Sequence, residues 1–284
     1  MKSLREVRHG GVALCTQSFG SSTDPAIVLV MGATASMLWW PETLCRALAD
    51  GGRFVIRFDH RDTGASTTAA PGEASYEVGD LADDVLAILD AYGIAQAHLA
   101  GMSLGAYVSQ LLALRNPGRV LSLALVSAEP LGGETLPPMD MSPAFLAHFE
   151  KMGEVDWTSR EDAAAFLEQA AALASSQERG HDRVATAERI AGEFERSPNL
   201  RSAFNHSSVG GDLGMWDLRE ISQPTVVIHG AHDPIIPVAH GEAIARQISS
   251  ARLVVLPDAG HELHTLDLPL IAHTILENTR RERA

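Results

Sequence analysis

Cysteine is scarce in this sequence: Cys15 and Cys45 are all that its 284 residues contain. Two are too few for a disulfide framework, and their spacing matches no zinc site, so a reducing compartment and no structural metal are expected. Long apolar runs are missing as well. The longest, such as residues 26–31 and 121–126, fall far short of the roughly 20 residues needed to cross a bilayer, and they read as buried strands. Positive charge is in deficit: 22 Lys and Arg stand against 36 Asp and Glu, a formal net charge of -14. That balance disfavours nucleic acid and anionic membrane surfaces as partners. Residues 1–6 run into polar and Gly residues where a secretory signal would need an apolar stretch. Together these absences predict a cytoplasmic protein with neither a membrane nor a nucleic-acid partner.

What is present is a hydrophobic fraction of 45% with no Pro/Gly/Ser-rich linker and no like-charge run, which suits one large α/β domain carrying an insertion. Six short segments rich in branched apolar residues recur between helical patterns, at 26–31, 54–58, 97–100, 121–126, 225–229 and 252–256. Strands buried on both faces lose the alternation of apolar and polar residues, and each parallel crossover needs a helix, so this pattern predicts a mostly parallel sheet. Residues 6–8 and 12–16, joined across Gly10-Gly11, add an antiparallel hairpin at its edge and bring the sheet to about eight strands. Helical spacing at 42–49, 78–92, 104–115, 239–248 and 268–279 supplies the cover on both faces. The fourth and fifth segments lie nearly a hundred residues apart, far more than an ordinary crossover requires. The chain is therefore divided into a core of residues 1–128 and 220–284 and an inserted cap of residues 129–219, with helices expected at 163–175 and 182–196.

Gly101-Met102-Ser103-Leu104-Gly105 fits the G-x-S-x-G pattern, preceded by an apolar strand and followed by a helix. Such a turn presents its central Ser at the carboxyl edge of the sheet, and small flanking residues relieve the crowding. A hydroxyl is a weak nucleophile near neutral pH and needs a base such as histidine. Of 12 histidines, His261 is favoured because it follows the last strand, at the edge where Ser103 lies. His264 reads as a solvated or capping residue and His229 as a core histidine, while His60, His206 and His240 read as surface or pocket-lining residues. The base in turn needs a carboxylate to fix its tautomer. Asp233, in the Pro-stiffened loop after the penultimate strand, is preferred over Glu129, which follows the strand after the serine turn. The chain order Ser103, Asp233, His261 is that of the α/β hydrolases.

An oxyanion formed on the substrate needs backbone donors. The helix N-terminus offers the N–H of Leu104, and the loop after residues 26–31 offers that of Ala33, with Gly32 as the alternative. Trp39 and Trp40 in the same loop either line the acyl side of a pocket or pack the core.

These pieces resemble the aclacinomycin methylesterase-like α/β hydrolases. The resemblance rests on Val30-Met31-Gly32, the run from Arg57 through Asp59, His60, Arg61 and Asp62 to Gly64, the serine turn, His232-Asp233-Pro234 continuing to His240-Gly241, and Leu256-Pro257 with Gly260-His261. It covers roughly residues 20–130 and 220–275 and departs from the type member at Ala33 and in the cap. It implies the α/β-hydrolase fold and hydrolysis of a carboxylic ester through an acyl-serine, without a cofactor, with Ser103, Asp233, His261, Leu104 and Ala33 in the roles above. It also implies that the loop holding Asp59, Arg61 and Gly64 is structural.

Substrate selection then falls to the cap. Gly32 and Trp39, with Phe145, Phe149 and Phe204 from the cap, are the expected apolar lining, and His206 with Asn205 its polar contacts. Trp157, Phe166 and Trp216 are further candidates, and for each cap aromatic packing onto the core is the competing role. The expected substrate is a small-molecule ester, mainly apolar and including polyketide-like methyl esters. Lactone hydrolysis, carbon–carbon bond hydrolysis and perhydrolysis use nearly the same residues. A ligand-binding receptor without catalysis is the reading from another class, and an intact Ser, His and acid set argues against it. Oligomeric state is not encoded in any of these features.

Overall fold

The computed structural model describes residues 3–132, 137–210 and 216–280. Eight strands form one sheet: β1 (Ser3–His9), β2 (Val12–Phe19), β3 (Ala26–Val30), β4 (Phe54–Phe58), β5 (Ala97–Met102), β6 (Val120–Val126), β7 (Thr225–Gly230) and β8 (Ala251–Leu256). Their order across the sheet is β1-β2-β4-β3-β5-β6-β7-β8. The β1–β2 hairpin and the β2–β4 pair are antiparallel, and every other pairing is parallel. This is an α/β-hydrolase fold.

Side chains alternate across the sheet, so each strand feeds two cores. Val28, Val30, Leu99, Leu123, Leu125 and Val227 face one side. There they meet α2 (Val78–Ala91), α3 (Leu104–Arg115) and α7 (Val238–Gln247), through residues such as Leu81, Val85, Leu111 and Ile244. Ile27, Leu29, Ala100, Val126 and Ile228 face the other side, against α1 (Glu42–Asp50) and α8 (Leu268–Asn278) by way of Leu44, Leu48, Ile271 and Ile275. Strands β3, β4, β5 and β7 are buried at every position, which is why they read as continuous apolar runs.

Between β6 and β7 lie α4 (Pro143–Glu150), α5 (Arg160–Ala174) and α6 (Arg183–Arg196), followed by a 3-10 stretch over Leu200–Ser208. The composition of α5 and α6 announces them, and their caps are in place: Ser159 accepts from the Asp162 N–H, and Asp182 from that of Ala185. Helix α4 and the 3-10 stretch were not foreseen. The first is only two turns long and buries no residue completely, so it leaves little periodic signal; its one mark is Pro143 just after Ser142.

Polar contacts tie this insertion to the core. Arg196, at the end of α6, meets the carboxylate of Asp59 just after β4, with Nη2 to Oδ2 at 2.5 Å. Asp59 is fully buried and also accepts the N–H groups of Met37 and Ala65. In the same loop Arg61 pairs through two nitrogens with Asp84 of α2, at 2.8 and 2.6 Å. The loop is thus a bracket between core and insertion. Removing one partner of a buried pair strands the other charge, so Arg196→Leu should lower stability by about 3–5 kcal/mol. Urea denaturation monitored by circular dichroism checks this, and a loss below about 1 kcal/mol would show that water reaches Asp59 in the folded chain.

Candidate active site

Ser103 joins β5 to α3 with φ 50 and ψ -120, outside the conformations an L-residue normally adopts. Such a backbone costs on the order of 1–3 kcal/mol and persists only when its surroundings impose it. Here they do. The Ser103 N–H donates to the carbonyl of Val126 in β6 at 3.0 Å, and the Ser103 carbonyl accepts from the N–H groups of Ala106 and Tyr107 at 2.9 and 3.0 Å. Strand and helix pack so tightly that a Cβ at Gly101 would run into the carbonyl of Gly105, and one at Gly105 into that of Val30. Any larger residue at either position would push α3 away from the sheet.

Asp233 follows β7. Its Oδ1 accepts the N–H groups of Ile235 and Ile236 at 2.9 and 2.8 Å, which fixes the carboxylate within the loop. Its Oδ2 accepts from Nδ1 of His261 at 2.8 Å. The two loops meet because β7 ends on a glycine: a Cβ at Gly230 would collide with the carbonyl of Gly260. His232 N–H donates to Ala259, and the His261 N–H donates to the carbonyl of Ala174 at the end of α5 at 2.8 Å. His261 is therefore tethered to the insertion as well as to the core. Glu129 lines the cavity, as Tyr107 does, and burial pushes its carboxyl upward against the pull of His240.

Electrostatics separate the two groups. Burial alone would favour a neutral Asp233, but the charge of His261, with hydrogen bonds from His229 and His261, holds it well below the usual carboxylate range. Burial likewise opposes the imidazolium of His261, yet the adjacent Asp233 carboxylate overrides it and raises the imidazole above its ordinary value. An ionised Asp233 can only accept, so His261 carries its proton on Nδ1 and its lone pair on Nε2.

Ser103, Leu104, Ala33 and His261 all line one cavity of about 830 Å³. Gly32, Trp39, Phe145, Phe149 and Phe204 line it too. His206 does not. It is buried behind the loop after β3, where its Nδ1 accepts the N–H of Thr34 at 3.0 Å and its Nε2 donates to the carbonyl of Arg61 at 2.9 Å. Its neighbour Asn205 is also withdrawn, donating to Asp62 and Ala70 and accepting from Gly72. Phe166 and Trp157 stand behind Phe149 and Phe204, with ring centroids 5.2–6.0 Å apart, as the packing of the insertion. Trp40 is fully buried in the core, and Trp216 packs against the other side of the sheet.

Two residues near the site were missed or misjudged in the sequence, and a third has a partner there that the sequence did not name. The third, His229, is the buried core histidine that the sequence predicts; its Nε2 donates to the Ile236 carbonyl at 2.8 Å and lies 3.5 Å from Asp233 Oδ2. His60, read as surface or pocket lining, is fully buried, and its Nε2 donates to the carbonyl of Met31, with burial lowering its pKa to about 3. Glu193 of α6 accepts the Ser36 N–H and Trp39 Nε1 at 3.2 and 3.0 Å. The pairing of His229 with Asp233 had a visible signal in their spacing of four residues across a strand end. Among the described residues no group of three or more His, Cys, Asp and Glu side chains could hold a metal ion, and no helix is long and apolar enough to cross a membrane.

Comparison with known proteins agrees with this architecture. The chain is 30% identical to rhodomycin D methylesterase DauP of Streptomyces sp. (strain C5), over 97% of this chain and 98% of that one. It is also 30% identical to the putative carbamate hydrolase RutD of Variovorax paradoxus (strain S110), over 93% and 95% of the two chains. A solved hydrolase from Pseudomonas aeruginosa PA01 superposes with a TM-score of 0.74 at 26% identity, covering 98% of each chain. The family model of the alpha/beta hydrolase fold matches residues 25–267. With that match spanning most of the chain, on a sheet of this order, the protein belongs to the alpha/beta hydrolase fold family.

Proposed function

We propose that the protein is a serine carboxylic-ester hydrolase with Ser103 as nucleophile, His261 as general base and Asp233 as the orienting acid. The observation that carries this is the 2.8 Å hydrogen bond from His261 Nδ1 to Asp233, in a cavity that His261 shares with a serine held at the strand-to-helix turn. In this reading His261 Nε2 accepts the proton of Ser103 Oγ as the hydroxyl attacks the ester carbonyl. The oxyanion of the tetrahedral intermediate takes hydrogen bonds from the N–H groups of Leu104 and Ala33. Collapse breaks the bond to the alcohol oxygen, and His261 returns its proton to the departing alkoxide. Water, deprotonated by the same imidazole, then attacks the acyl-serine, and a second collapse frees the acid and restores the Ser103 hydroxyl.

The lining of the cavity supports a mainly apolar substrate. Trp39, Phe145, Phe149 and Phe204 offer aromatic surface, and about 830 Å³ is ample for a polycyclic small molecule. The kinship with a rhodomycin D methylesterase favours a methyl ester of a polyketide-like acid. Two free cysteines suit a reducing cytoplasm.

Turnover of p-nitrophenyl esters and polyketide methyl esters tests the assignment. Ser103→Ala is expected to lower kcat by about 10⁴-fold or more and to abolish the acyl adduct seen by intact-protein mass spectrometry. Binding without turnover or adduct in the unmodified protein would make it a receptor.

A second expectation concerns pH. The base works only when neutral, and His261 is raised above its usual 6.5, so the acid limb of kcat/KM should lie above pH 6.5. Asp233→Asn removes the carboxylate that raises it and leaves burial, which acts in the opposite direction. NMR titration should therefore find the imidazole of this variant below 6.5, with kcat lower by about 10⁴-fold. An unmoved limb in Asp233→Asn, together with a moved one in Glu129→Gln, would transfer the acid role to Glu129.

A further inference from the structure

The loop that carries Ala33 is held in place from the insertion. It begins where β3 ends, with the carbonyl of Met31 accepting from His60 Nε2 at 3.0 Å. Two residues after Gly32 comes Thr34, whose φ of 64 lies in the left-handed region. A β-branched residue there is an outlier, because its Cβ crowds the carbonyl oxygen. Something must compensate, and the contact made by the Thr34 backbone is the hydrogen bond from its N–H to Nδ1 of His206.

The chemistry of His206 is fixed by its two partners. The Arg61 carbonyl can only accept, so Nε2 must carry the proton; the Thr34 N–H can only donate, so Nδ1 must present its lone pair. Burial keeps the ring neutral by lowering its pKa. His206 thus bridges the Arg61 loop, itself clamped to α2 by Asp84, to the residue next to Ala33. Two residues further along, the Ser36 N–H is taken by Glu193 of α6.

We propose that His206 is the positioning residue of the oxyanion site: its hydrogen bond to Thr34 holds that residue left-handed and thereby aims the Ala33 N–H, so that the insertion contributes to catalytic power as well as to substrate choice. This rests on the assignment of Ala33 as a donor above. A donor displaced by a fraction of an ångström binds the ground-state carbonyl little differently and the tetrahedral oxyanion much less well. Loss of the clamp should therefore appear in kcat and leave KM nearly unchanged.

The test compares the unmodified protein, His206→Leu and His206→Asn, whose Oδ1 can replace Nδ1 as the acceptor for Thr34. Steady-state kinetics on a p-nitrophenyl ester are paired with the affinity of an aryl trifluoromethyl ketone, which forms an oxyanion-bearing hemiketal with Ser103, and of the carboxylic acid product, which does not. His206→Leu is expected to lose about 10- to 100-fold in kcat, to keep KM within about twofold, to weaken the ketone by the same factor and to leave the product affinity alone. His206→Asn should stay within about threefold of the unmodified protein in kcat. Unchanged kcat and ketone affinity in His206→Leu would overturn the proposal, as would equal losses in both variants. Should His206→Leu fail to fold, NMR of the unmodified protein decides the matter: a scalar coupling across the hydrogen bond between the Thr34 amide nitrogen and His206 Nδ1 is expected, and its absence sinks the clamp. Failure of the esterase reading is separate, since it would show as no Ser103-dependent turnover in the unmodified protein.

Discussion

At the carboxyl end of β5 the backbone of three elements comes into direct contact. Strand β3, strand β5 and the first turn of α3 approach so closely that only hydrogen fits at positions 101 and 105, and the serine between them is held at φ 50. The rest of the molecule is arranged around that constraint. A large two-faced sheet supplies the packing that keeps a strained turn from relaxing, and the strain can persist because the neighbouring backbone groups have committed partners, as the bond from Ser103 N–H to Val126 illustrates. The same closeness brings the end of β3, and with it the loop that follows, alongside Ser103. Rigid strands fix Ser103 and the start of the facing loop together.

Asp233 and His261 depend on a second meeting, between the loops after β7 and β8. Here one side chain settles the protonation state of another. Asp233 stays ionised within the protein because two amide donors and two imidazoles surround it. Its charge in turn keeps His261 more basic than a buried imidazole would otherwise be. Neither shift has meaning by itself. Asp233 without His261 would be a costly buried charge, and His261 without Asp233 would be a weak base of undefined tautomer.

Much of this could be read from the amino-acid order, for reasons that differ from element to element. The central strands were legible because burial on both faces makes them uniformly apolar, and α3 because it follows a Gly-flanked serine. The segment at 97–100 was read two residues short because Gly101 and Met102 continue the strand into the turn, and glycine carries no strand signal of its own. Helix α4 escaped because a two-turn element that buries no residue completely leaves a weak pattern. His206 was misjudged for a deeper reason. Its partners lie 172 and 145 residues away in the chain, and no local pattern distinguishes a histidine facing a pocket from one bonded to two distant backbone groups. Asp233 and His261 lie 28 residues apart, yet they could be paired because each follows a strand of the same parallel sheet and so arrives at the same edge.

The two ends of the insertion are attached to the core to different degrees. Helix α6 and the 3-10 stretch after it are bound to the core through Arg196, Glu193, Asn205 and His206, all of them hydrogen-bonded to the loops that surround the serine. Helix α4 is held at its N-terminus by the Ser142 N–H, which donates to the carbonyl of Pro234 at 2.7 Å, and along its length it presents Phe145, Leu146 and Phe149 to the cavity, with Leu146 still about half exposed. Sequence drift therefore meets unequal resistance across the insertion. Side-chain changes along α4 alter the shape of the cavity, whereas changes along the α6 side alter the loops around Ser103 themselves. A lineage descending from this protein can thus reshape the cavity through the first region while keeping the setting of Ser103 through the second.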